Sequence, residues 1–128
     1  MKVVLKVLGT ILLLFIVVAT SGMFYISRGL DEGLNVKINP VDLSHKEDSI
    51  YKGSYDFGRW SNKLNVTVKD HKITNIEVTD DMMIVNPEVR SLIFQRVIHE
   101  QGTVVEAVSG STVSCNAYLK SIENALNN

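Results

Sequence analysis

A run of about twenty uncharged residues near the N-terminus, Val7 to Ile26 (VLGTILLLFIVVATSGMFYI), limits this chain more than any other feature. At ~1.5 Å per residue, a helix of that length crosses the ~30 Å hydrocarbon core of a bilayer. Lys2, Lys6 and the amino terminus precede the run, while Arg28 after it is followed by Asp31 and Glu32. This asymmetry of cations places the N-terminus in the cytoplasm and everything after the run outside. A cleaved signal peptide is the competing reading, with small residues at Ala19 to Gly22 near a possible cleavage point. Against it, apolar character resumes at Met23, Phe24, Tyr25 and Ile26, and Tyr25 suits an interfacial position. Residues 1–28 are therefore expected to be an uncleaved anchor in the cell membrane, single-pass, with an extracytoplasmic C-terminal domain.

What remains of 128 residues is enough for one modest domain. Lys and Arg total 13 against 14 Asp and Glu, a net charge of -1. With no basic face to displace counterions, the sequence argues against nucleic-acid binding. Cys115 is the only cysteine, so neither an intramolecular disulfide nor a cysteine zinc site can form. The exported domain must be held by its core, or by its core and a bound cofactor. Residues 29–48 are polar, contain Gly29, Gly33 and Pro40, and read as a linker. Compact patterning occupies 49–128.

Within it, SIYKGSYDFGRW mixes aromatics with Gly53 and Gly58, which suit turns or bulges. Lys63 to Lys69 alternates strictly, with Leu64, Val66 and Val68 on one face. Asp70-His71 makes a tight connection, and Lys72 to Thr79 supplies a return strand with Ile76 and Val78 inward. The period then changes. Asn86-Pro87 reads as an N-cap and first helical residue, Val89, Leu92, Ile93, Val97 and Ile98 follow at helical spacing, and Gly102 suits the stop. A final helix carries Tyr118, Leu119, Ile122, Ala125 and Leu126 on one face. Strands first and helices after predict an α+β domain: an antiparallel β-meander packed with two C-terminal helices, preceded by one N-terminal transmembrane helix.

Candidate chemistry lies at Glu106 to Ser114 (EAVSGSTVS), a cluster of small hydroxyl residues around Gly110 just ahead of a helix. The first turn of a helix offers unpaired N–H groups and a partial positive charge, which suit a phosphate. Gly110 allows close approach, and Ser109, Ser111, Thr112 and Ser114 can donate to phosphate oxygens. A Ser/Thr-rich helix cap with no ligand explains the same residues, and spacing alone leaves both readings open.

The run SGST-V-S, with Glu106 ahead and an apolar helix ending in Ala125-Leu126 behind, resembles the signature of the FMN-binding domain family. That family includes the flavin-carrying C-type subunit of the sodium-pumping NADH:quinone reductase and many small membrane-anchored proteins of Gram-positive bacteria. Tyr51-Lys52-Gly53-Ser54-Tyr55 and the hairpin from Val66 to Val78 are similar to the family's opening. The resemblance covers about Ser49 to Leu126 and implies FMN as cofactor. It implies Thr112 as the acceptor of a phosphoester made by a flavin transferase, with Ser109, Gly110, Ser111, Ser114 and Glu106 around it. Glu106 stands where the family has aspartate, and Ser111 where it has alanine. The function implied is extracytoplasmic electron transfer, with an unidentified redox partner: a reductase, a quinone or an extracellular acceptor. A cell-surface interaction module that has lost flavin, and a noncovalent FMN reductase, are the alternatives. No G-x-G-x-x-G follows a strand, so this chain offers no nicotinamide site of that type.

The remaining chemistry-bearing residues read more plainly. Tyr51, Tyr55, Phe57 and Trp60 suit cross-strand packing better than flavin stacking. His45, His71 and His99 have no ligand spacing, so no metal site is expected. Cys115, beside a helix start that could lower its pKa, reads first as a small semi-buried thiol. Asp80-Asp81 before Met82-Met83 reads as a solvated turn, and Asn65-Val66-Thr67, a glycosylation pattern, falls within a strand.

Overall fold

The structure, a computed structural model, describes residues 1–128. Helix α1 spans Lys2–Ser27 and buries none of its residues against the rest of the chain. It is long and apolar enough to cross a membrane. Its two threonines do not leave hydroxyls unpaired: Thr10 donates to the carbonyl of Lys6 and Thr20 to that of Ile16, both at 2.8 Å. The helix stops where Arg28 turns extended and Gly29 takes φ +96°, a left-handed conformation suited to glycine. A short helix, α2 (Leu30–Asn35), follows.

Three antiparallel strands, β1 (Ser49–Tyr55), β2 (Asn62–Lys69) and β3 (Lys72–Asp80), form a meander in sequence order. The alternation in β2 is realised directly, with Leu64, Val66 and Val68 buried opposite Gly53, Tyr51 and Ser49. Asp70 and His71 both take positive φ (50° and 60°), which lets the two-residue turn follow the strand twist. In β3 the buried residues are Ile73 and Ile76, with Val78 half-buried. Residues three apart cannot share a face of a regular strand. The register shift between Thr67 and Val68 turns both isoleucines toward the core.

Helix α3 (Pro87–Glu100) starts as expected, with Asn86 Oδ1 accepting from the N–H groups of Glu88 and Val89. Val89, Ile93 and Val97 face the core, while Leu92 is exposed. Its last turn ends on Gln101 in a left-handed conformation. The Gln101 amide accepts from the N–H of Ile73 at 2.6 Å and donates to its carbonyl at 2.9 Å, pairing with the sheet edge as a strand would. Helix α4 (Thr112–Asn127) lies across β1 and β2, with Tyr118, Leu119, Ile122 and Leu126 in the core. It crosses β1 at Gly53, where an added Cβ would stand 1.9 Å from the Ser121 carbonyl oxygen and 2.7 Å from Ala125 Cβ. No larger residue fits that crossing.

Residues 29–48, expected to link, hold α2 and then run back along α4. Asn116 donates to the Gly33 carbonyl at 2.9 Å. Glu123 accepts from the Asn39 N–H at 2.9 Å and from its side-chain amide at 3.0 Å. Thr103 donates to the Asn39 carbonyl at 2.7 Å, and Leu43 joins the core. These contacts bring α2 to the start of α4.

Candidate functional site

The loop before α4 is shaped by one glycine. Gly110 takes φ +80° with nothing within 4 Å of a would-be Cβ, so conformation rather than space demands glycine there. The Ser111 N–H closes a turn onto the Val108 carbonyl, and the first helical bond runs from the Cys115 N–H to the Ser111 carbonyl, both at 3.0 Å. The N–H groups of Thr112, Val113 and Ser114 therefore precede the helix's own bonding. Ser111 is the N-cap residue, yet its side chain makes no capping bond, unlike Asn86 on α3. A plain capping role does not account for the Ser111 hydroxyl. Thr112, the first helical residue, is exposed.

Gly110, Ser111, Thr112 and Ser114 line one side of a recess of about 380 Å³, within the ~300–1,000 Å³ of small-molecule sites. The facing wall comes from two distant segments: Arg59 and Trp60 from the 3-10 turn Gly58–Trp60, and Leu30 and Leu34 from α2. The Arg59 guanidinium lies 4.3 Å from the Trp60 ring, a cation–π contact that holds it over the aromatic face. Its Nε is buried and has no hydrogen-bond partner. Arg59 is the one charged residue lining the recess. Free helix N–H groups, unengaged hydroxyls and an incompletely paired guanidinium together suit a phosphate. A smaller hollow beside it, about 100 Å³, shares Arg59, Trp60 and Ser114 and adds Ile84.

Of the other residues singled out from sequence, Ser109 and Glu106 stand outside this lining. Ser109 is exposed on the preceding turn, and Glu106 is exposed with its backbone carbonyl accepting from Arg96 at 2.6 Å. Cys115 faces the core, where burial pushes its thiol up despite the Val108 N–H donating to Sγ at 3.4 Å. It is not set up as a reactive thiolate. Tyr55 stacks on Phe57 with ring centroids 6.0 Å apart, and Tyr51 packs at the core's edge, whereas Trp60 lines the recess. Asp81 is more engaged than a solvated turn. It accepts from the Tyr118 hydroxyl at 2.6 Å and pairs with Arg90, and burial together with that carboxylate pushes the Tyr118 phenol up.

Sequence reasoning missed Arg59, Leu30 and Leu34. Arg59 adjoins Trp60 in an aromatic segment, but a single cation carries no spacing signal, and the two leucines lie in a stretch that reads as linker.

A helix start whose donors suit a phosphate, a half-apolar recess and an α+β domain behind an apolar helix are the features of a cofactor-carrying domain. The family model for the FMN-binding domain matches residues 21–127, and the chain belongs to that family. Its cofactor is FMN, and the donor set at the start of α4 fits the cofactor's phosphate. No curated protein and no solved structure gives a significant match.

Proposed function

We propose that this chain is a membrane-anchored, extracytoplasmic electron carrier whose FMN is tethered by a phosphoester to Thr112. The observation that carries the reading is the exposed Thr112 hydroxyl at the uncapped start of α4, across the recess from Arg59. Esterification breaks the Thr112 O–H bond and forms an O–P bond. It requires a flavin donor whose phosphate already bears a leaving group, which departs with the proton. A flavin transferase supplies that reaction.

FMN, when bound, takes up and gives out one or two electrons. The protein's task is to hold it. The N–H groups of Thr112, Val113 and Ser114, with Arg59, stabilise the single negative charge that a phosphodiester retains. Trp60, Leu30 and Leu34 shed water from the adjoining surface. Glu106 and Ser109 flank the loop and can meet the transferase without entering the recess. A tether has a clear use outside the cell, where a dissociating cofactor is lost to dilution. The redox partner is a reductase, a quinone or an extracellular acceptor.

The test is intact mass and visible absorbance of the full chain co-expressed with a flavin transferase, beside Thr112→Ala. A mass increase of one esterified FMN, absent from Thr112→Ala, is expected. Yellow protein with no added mass refutes the tether and leaves noncovalent FMN. Unmodified, colourless protein made beside a related domain that does become flavinylated refutes the flavin reading for this chain.

A further inference from the structure

The recess lies where the chain leaves its apolar helix. The apolar run ends at Ile26, and Leu30, four residues on, lines the recess. Four residues reach at most roughly 14 Å even when fully extended. The headgroup layer itself takes up about 5–7 Å on each side of the bilayer. Whatever angle the domain adopts, this part of the recess stays within or just above the headgroups.

The loop behind the recess touches the end of α1 as well. An added Cβ on Gly58 would stand 2.8 Å from the Arg28 carbonyl oxygen, and one on Gly29 would meet the Phe57 ring at 2.3 Å. Gly58 and Phe57 adjoin Arg59 and Trp60, so one short loop joins the helix end to the recess. Tyr25, exposed near the end of α1, is a residue type that settles at a membrane interface. Apolar side chains edge the recess and the hollow beside it and are uncovered: Leu30 is 40% exposed, Leu34 49% and Ile84, in the hollow, 62%. Nothing in the fold of the flavin-free chain covers these side chains, and together they extend the apolar surface of α1 toward the recess.

We propose that this apolar edge, Leu30 and Leu34 of the recess with Ile84 of the adjoining hollow, seats on the lipid surface, so that the cofactor recess opens at the headgroup layer and the domain lies against the bilayer. The inference rests on the membrane reading of α1 and on the recess reading above. Lipid is the occupant because this edge is continuous with the helix already in the bilayer. The charges at this end are close to balanced, with Arg28 and Arg59 set against Asp31, Glu32 and Asp56. The seat is therefore apolar rather than polybasic, and zwitterionic lipid suffices. An electron partner must then approach along the membrane, either dissolved in it or anchored to it.

Trp60 is the only tryptophan and lines the recess, which provides a direct probe. The full chain, free of flavin, is reconstituted in phosphatidylcholine nanodiscs with and without a nitroxide on the lipid headgroup. The expected result is loss of most Trp60 emission with the nitroxide lipid, unchanged at high salt and largely relieved in Leu30→Glu/Leu34→Glu. Wild-type emission indifferent to the nitroxide overturns the proposal. So does quenching that salt abolishes, which indicates a charge-held contact, and so does quenching that persists in a folded double variant. If the double variant does not fold, the wild-type and salt measurements decide alone. Because flavin is absent throughout, failure here leaves the Thr112 tether standing, and failure of the tether leaves the lipid contact standing.

Discussion

Replacing Gly53 by alanine tests the one contact on which the position of α4 most depends. An added Cβ would stand 1.9 Å from the Ser121 carbonyl oxygen, 2.7 Å from Ala125 Cβ and 2.8 Å from the Ala125 N, where ordinary contacts begin at 3.4 Å. Two of these obstacles are backbone, so no rotamer change relieves them. Strand and helix must separate, loosening Leu64 opposite Gly53 and Ile122 and Leu126 on the helix. Overpacking a core with one methyl costs about 1–3 kcal/mol, and a clash against helix backbone belongs at the upper end, about 3 kcal/mol. For a domain of this size, ~4–8 °C per kcal/mol converts that to a melting temperature lower by roughly 12–24 °C. Thermal unfolding of the full chain in mild detergent, followed by Trp60 emission, gives the measurement. Gly102→Ala is the matched control, because nothing lies within 4 Å of its would-be Cβ. It is expected to stay within about 0.5 kcal/mol of wild type. Gly53→Ala within that same margin, or Gly102→Ala as damaging as Gly53→Ala, refutes the close-crossing argument.

Removing the recess cation is expected to weaken cofactor binding without unfolding the domain. In a Thr112→Ala background, Arg59→Ala loses a charge-assisted contact worth about 1.5 kcal/mol, so FMN affinity falls roughly tenfold by flavin fluorescence titration; unchanged affinity removes Arg59 from the site. Glu123 carries the pH dependence of the 29–48 segment. Burial works against its charged form, but the Asn39 N–H, the Asn39 amide and the Lys120 ammonium outweigh it and hold the carboxyl below its ordinary value of 4.5. A lowered folded pKa contributes stability that is complete above 4.5 and lost as pH falls through the folded value. Glu123→Gln is expected to lose about 1–3 kcal/mol at neutral pH and to flatten the acid limb of a stability-versus-pH curve; an acid limb identical to wild type contradicts this assignment.

Local pattern made much of the architecture legible. Twenty or so apolar residues leave a helix few alternatives, because a bilayer admits no unpaired backbone. Strict alternation in β2 identified the buried face, since a one-residue slip would invert it. Asn86-Pro87 marked the start of α3 because capping is a matter of adjacent atoms. The hydroxyl-rich loop before α4 was visible for the same reason, as its hydroxyls, its glycine and the helix start are neighbours in sequence.

Contacts between distant residues were not legible. Asn116 with Gly33, Glu123 with Asn39, and Gly53 with Ser121 join residues 68 to 84 apart in the chain, and the first two turn a polar stretch into one wall of the domain. The isoleucines of β3 share a face because of a register shift that no alternation pattern announces. Sequence alone determined that the chain has an apolar helix, a meander, two further helices and a loop suited to phosphate, since each follows from interactions within a few residues. Only the tertiary structure decided what faces that loop. Arg59, Trp60, Leu30 and Leu34 meet Thr112 because Gly53 lets α4 lie close on β1 and because Gly29 turns α2 back toward it, and these packing choices are made by the whole core rather than by any one segment.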